Sequence, residues 1–192
     1  MQDWERYCMK RFLAAAGLCF LGTQPVMADD VTEALETALE AYEEGDTSYA
    51  LEELEYAKQL MMAMKADDLV GFLPEAPEGW SREVNTEMNA GLAMMGGGTG
   101  AEATYEGDGG RVTITLMADH PMVAGMAGMI SNAGMLGAKI ERVGREKFMV
   151  NDGEISGLID NRILVQASGG DVPMMLEMLE SMDFKALADF GS

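Results

Sequence analysis

AEATYEGDGGRVTITLMA, residues 101–118, decides the fold. Val112, Ile114 and Leu116 alternate with threonine and methionine, the two-residue period of a strand with one face buried. AEATYE is a second short extended run, and Gly107-Asp108-Gly109-Gly110 separates the two. So short a connection, built of turn residues, folds the chain back as a β-hairpin. A parallel pair would need a crossover of roughly a dozen residues.

The same pattern recurs on both sides. Downstream, strands are expected at about 139–150, 154–159 and 162–168, with turns at Asn151-Asp152-Gly153 and Asp160-Asn161. Upstream, WSREVNTE alternates enough for one more strand, and MNAGLAMMGGGTG reads as a flexible glycine-rich stretch. His120-Pro121 opens a helix through about Ala133 whose buried side is Val123, Met126, Ala127 and Ile130. A last helix starts at Asp171, with Pro173 in its first turn, and runs through Met182 with an extension toward Phe190. Strands joined by tight turns and followed by helices predict an α+β domain over 80–192, an antiparallel sheet with helices packed on one face.

Two helices precede it. Val31, Leu35, Ala38, Leu39 and Tyr42 share one helical face, with Asp30 and Glu33 placed as a capping box and Gly45 as the stop. After Asp46-Thr47 a second helix carries Ala50, Leu54, Ala57, Met61 and Met64 on its apolar stripe. The short link predicts an antiparallel helical hairpin over 29–66. DDLVGFLPEAPEG, residues 67–79, is broken by Pro74 and Pro77 and reads as the linker to the sheet.

Within the hairpin, AYEEGDTSYALEELEYA resembles the middle of a tetratricopeptide repeat. Gly45-Asp46 sits at the helix junction, and Ala50, Leu54 and Ala57 match the small, large, small packing positions of that family's second helix. The resemblance covers about residues 38–60 and occurs once, with Met62 near where the repeat's closing proline would fall. One unit implies a packing module, since a repeat groove needs several stacked copies. Element order alone is also similar to small antiparallel sandwiches such as the photosystem accessory PsbP-like group, and carries no residue roles.

Residues 1–28 set the expected location. Lys10 and Arg11 lead into FLAAAGLCFLG and then TQPVMA, the order of a secretory signal with cleavage expected after Ala28 and translation expected from Met9. The apolar run is shorter than the roughly 20 residues of a membrane-spanning helix, and no longer run follows. The mature chain is thus expected to be periplasmic or secreted, without an integral membrane segment. Both cysteines, Cys8 and Cys19, lie in the signal, which leaves no disulfide, cysteine metal site or thiol nucleophile. A lipid anchor on Cys19 is disfavoured by Leu18 before it.

The signal holds three basic and two acidic residues of the chain's 13 and 33, so 10 Lys plus Arg face 31 Asp plus Glu thereafter, a net charge of −21. Phosphate backbones and anionic lipid surfaces are repelled by such a chain, so no nucleic acid partner is expected.

Nineteen methionines are the compositional oddity, 16 of them beyond residue 28. His120, Met122, Met126 and Met129 place imidazole and thioether donors near one another, a soft set suited to Cu(I). Met174, Met178 and Met182, with Met175 beside them, recur at helical spacing. The same stripes serve to bury a helix face, because methionine fills irregular gaps, and core packing is the preferred reading. Lys139, Arg142, Arg145 and Lys147 fall within nine residues of an otherwise acidic chain. Alternation along one strand puts Lys139, Arg145 and Lys147 on one face, Arg142 on the other, and Arg162 alongside if the hairpin forms. These cations form an anion or partner surface, or a solvated face of cross-strand ion pairs.

His120 lacks a nucleophile elbow, Gly96–Gly100 lacks the ending of a phosphate loop, and no calcium-loop spacing occurs. The chain therefore reads as an exported, non-enzymatic accessory or binding protein acting through a protein partner or a small apolar ligand, with no cofactor. The alternatives are a periplasmic Cu(I) binder and a carboxylate-based hydrolase.

Overall fold

The computed structural model describes residues 26–133 and 137–191. The export reading of the N-terminus lies, through residue 25, outside the described residues. Two helices open the fold, α1 (Val26–Glu44) and α2 (Thr47–Val70), antiparallel about Gly45, whose φ of +88° suits the reversal. The Asp46 carboxylate accepts the Tyr49 N–H at 3.1 Å and caps α2. Because α1 begins at Val26, Asp30 and Glu33 lie inside the helix and do not form the expected capping box.

Alanines make the seam between the two helices. Ala34, Ala38 and Ala41 of α1 and Ala50 and Ala57 of α2 are buried, whereas Leu35, Leu39, Tyr42, Leu54 and Met61 are exposed. Of the expected stripes, Ala38, Ala50 and Ala57 are buried as read, while Ala34 and Ala41 take the seam positions expected of Leu35, Leu39 and Tyr42. Small side chains let the two backbones approach closely, and the larger apolar residues are displaced to the flank.

The remaining elements are β1 (Ser81–Asn85), α3 (Met88–Met94), β2 (Thr99–Gly107), β3 (Gly110–Ala118), α4 (Pro121–Ser131), β4 (Lys139–Val143), β5 (Glu146–Asn151), β6 (Glu154–Ile159), β7 (Ile163–Ser168), α5 (Val172–Glu180) and α6 (Phe184–Ala188). They build the expected α+β architecture around one seven-stranded sheet in the order β1-β2-β3-β7-β6-β5-β4, with every neighbouring pair antiparallel. After β3 the chain passes through α4 to the far edge and returns by successive hairpins until β7 closes against β3. In that closure Ile114 faces Ala167, which faces Ile155 on the next strand.

Alternate residues of these strands build the core. Ala103, Tyr105, Ile114, Leu116, Val165, Ile155 and Phe148 pack with Leu69 and Leu73 after the hairpin and with Met175, Leu179 and Leu187 of α5 and α6. Phe148 lies over Gly157 on the paired strand, in space that a Cβ would occupy. On the other side of the sheet, a Cβ on Gly100 would fall 2.9 Å from Leu92 and Met88 of α3. Ile130 of α4 likewise shares a groove with Ile140 and Leu158. Thus α2, α5 and α6 gather on one face as expected, and α3 and α4 lie against the opposite one.

Three departures have local causes. The single strand expected over 139–150 divides into β4 and β5 at Gly144, where φ is +60°. The stretch read as flexible contains the helix α3, whose Asn89 side chain holds both the N–H and the C=O of Gly100, at 2.7 and 2.8 Å. The last helix stops at Glu180 and restarts as α6, because the Asp183 carboxylate caps the Ala186 N–H at 2.9 Å.

The hairpin is stitched to the sheet. The boundary expected after residue 66 falls inside α2, and Leu69 is fully buried in the sheet's core. Arg82 of β1 donates to the carbonyls of Val70 and Leu73 at 3.2 and 3.4 Å, and so caps the C-terminal end of α2. The Tyr105 hydroxyl donates to the Pro74 carbonyl at 2.6 Å, and burial pushes its phenol up to about 12.

Candidate functional site

His120 is the N-cap of α4, with Pro121 in the first turn. Its Nδ1 accepts the Met122 N–H at 3.1 Å, its residue is 5% exposed, and its Nε2 is buried without a partner among the described residues. Nδ1 is therefore engaged, and the imidazole proton belongs on Nε2. Met122, Met126 and Met129 follow along one side of α4. Met126 is half-buried, and Met129 is 56% exposed rather than core. Met122 and Met129 are separated by a rise of about 10 Å along the helix, and both stand exposed. The other methionine stripe meets the packing expectation: Met175, Met178 and Met182 are buried in the core, with Met174 against it.

The basic residues divide in two. The turn at Gly144 resets the strand alternation, so Arg142 lies directly opposite Lys147 and shares its face. With Arg145 in the turn, they border an open groove of about 750 Å³ floored by Ile130, Ile140 and Leu158, where Glu146, Asp160 and Asn161 complete the rim. Arg142, Arg145 and Lys147 have no ion-pair partner among the described residues. Lys139 instead pairs with Glu141 at 2.5 Å. Arg162 leaves the group entirely: it binds Asp119 at 2.9 Å and donates to the Phe190 carbonyl at 2.5 Å, fastening the C-terminal segment.

A third site was misjudged from sequence. Leu35, Leu39 and Tyr42 of α1 and Leu51 and Leu54 of α2, with Ala38 and Ala50 at the bottom, line an open apolar groove of about 370 Å³ along the hairpin. Leu39 is 58% and Tyr42 67% exposed. The available signal was the alanine spacing at 34, 38 and 41, which supplies a seam and leaves the leucines over. The surroundings are acidic. Within α2, a hydrogen bond to Glu53, and then the charge of Glu53, raise the Tyr49 phenol above its ordinary value.

No group of three or more His, Cys, Asp or Glu side chains that could hold a metal occurs among the described residues. Among them too, no helix is long and apolar enough to cross a membrane. Neither a family model, nor a curated protein, nor a solved structure matches the chain.

Proposed function

We propose that this protein is an exported, non-enzymatic binding factor that holds a protein partner or small apolar ligand at the groove of its helical hairpin. One observation carries the reading: five large apolar side chains line a single groove at solvent, while the helices that bear them are held together by alanines. Scattered exposed leucines need no explanation, but a contiguous apolar stripe on a folded surface marks a contact site. A single unit resembling a tetratricopeptide repeat suits the role, because the face it would turn to the next repeat is left open.

Nile red, a neutral apolar dye, tests the groove without interference from charge. The folded protein should enhance its fluorescence. The double variant Leu39→Ser, Leu54→Ser should lose most of that enhancement while keeping its helical circular dichroism, since both side chains stand at the surface. An enhancement equal in parent and variant would reject the groove as the binding site.

A further inference from the structure

We infer that the occupant of the hairpin groove is the apolar face of a basic amphipathic helix on a partner protein. The inference rests on the groove being a binding site and adds the partner's chemistry. Leu35, Leu39 and Tyr42 stand at i, i+4 and i+7, a rise of about 10 Å, and so offer two helical turns of apolar contact. Across from them Leu51 and Leu54 form the second wall, one turn apart. Two parallel ridges with an alanine floor between them are the shape into which a third helix lays its own ridge.

Charge then selects the partner. Residues 29–57 contain eleven Asp and Glu and no Lys or Arg. Each groove residue is followed along its helix by acids, Glu36 and Glu43 beyond the α1 stripe and Glu52 and Glu55 beyond the α2 stripe. At about 100° per residue these carboxylates flank the apolar line on its outer side. Lys58, the first cation after them, is engaged with Glu55 at 3.2 Å. An apolar face framed by lysine or arginine complements this arrangement. A second copy of the chain would bring two such acidic rims together, and like charges facing each other oppose association. Anionic lipid is repelled for the same reason.

The test uses a labelled synthetic peptide of about 18 residues, five helical turns, with leucine at helical spacing and lysine elsewhere. A matched peptide carries glutamate in place of lysine. Fluorescence anisotropy with the parent protein should show binding of the lysine peptide only. Binding should weaken about tenfold or more in Leu39→Ser, Leu54→Ser, as expected for loss of central apolar anchors. It should also weaken in Glu36→Gln, Glu43→Gln, Glu52→Gln, and with salt raised to about 0.5 M. Equal binding of both peptides would overturn the charge argument while the Nile red result still stands for the groove. Lysine-peptide binding that ignores the leucine substitutions would reveal diffuse attraction to an acidic surface and overturn the inference. Self-association that rises with protein concentration and disappears in the leucine variant would assign the groove to a second copy, and overturn it too.

Discussion

Arg162 and Asp119 lie 43 positions apart, and their contact shows what a residue's type conceals. The sequence places Arg162 beside a hairpin of cations. Its guanidinium instead ties the corner after β3 to the C-terminal segment, and the same Asp119 also meets Lys65 of α2 at 3.4 Å. Nothing in the local pattern near Arg162 announces partners so distant in the chain. Tyr105 is a similar case: it is buried with Ala103 and Ala101 on alternate positions of β2, and its acceptor is the carbonyl of the distant Pro74. Burial of that phenol makes a testable linkage. A folded-state pKa raised to about 12 from 10.0 means that the fold favours the protonated phenol. The corresponding stability is complete below pH 10 and is lost as pH rises toward and through 12. Melting temperature should fall across that window more steeply in the parent than in Tyr105→Phe. At neutral pH the variant should cost about 1–2 kcal/mol, because the buried Pro74 carbonyl loses its donor. Parallel pH profiles for the two proteins would contradict this account.

Strands and turns were legible where their chemistry is local. Asp152 and Gly153 have φ of +49° and +83°, and Asp160 and Asn161 have +51° and +52°. Those are the left-handed pairs that favour tight hairpins, and they are carried by residues that tolerate them. Gly144 performs the same service between β4 and β5 and was missed, because KIERV and EKFMVN read through it as one extended run. The consequence reached the candidate site, since one extra turn moved Arg142 to the face of Lys147. Like charges directly opposite on antiparallel strands are destabilising, by about 0.2–1 kcal/mol. Lys147→Glu should therefore stabilise the protein by up to about 1 kcal/mol at low ionic strength, and the gain should fade as salt screens the exposed pair. Chemical denaturation at two salt concentrations measures it. A loss of stability at low salt would mean that Lys147 already has a favourable role in the groove. The helix α3 escaped notice for a different reason: it spans seven residues with Gly91 inside, and its place is fixed by Asn89 clamping Gly100 rather than by periodicity.

At the scale of the whole molecule, the hairpin serves two purposes along its length. The half nearest the Gly45 turn carries the open groove, while the C-terminal end of α2 enters the sheet's core through Leu69, with Leu73 following in the same cluster. The sequence distinguishes a helical hairpin from a strand-rich region, but Pro74 and Pro77 suggest a break where the structure has a junction held by Arg82 and Tyr105. Packing across sequence-distant elements set that boundary, and no composition change records it. Such a junction should make the hairpin and the sheet unfold together. Leu69 is fully buried, so Leu69→Ala removes apolar volume that the surrounding strands cannot close, at a cost of about 2–5 kcal/mol. Far-ultraviolet dichroism follows the helices. Fluorescence of Trp80, which packs over Gly107 beside the sheet, follows the other half of the molecule. In a protein beginning at Asp29, Trp80 is the lone tryptophan, and the two signals should then share one transition that moves to lower temperature in the variant. If the helical signal kept its midpoint while the tryptophan signal shifted, the hairpin would be an independent module, and the groove it carries could be tested in isolation from the sheet.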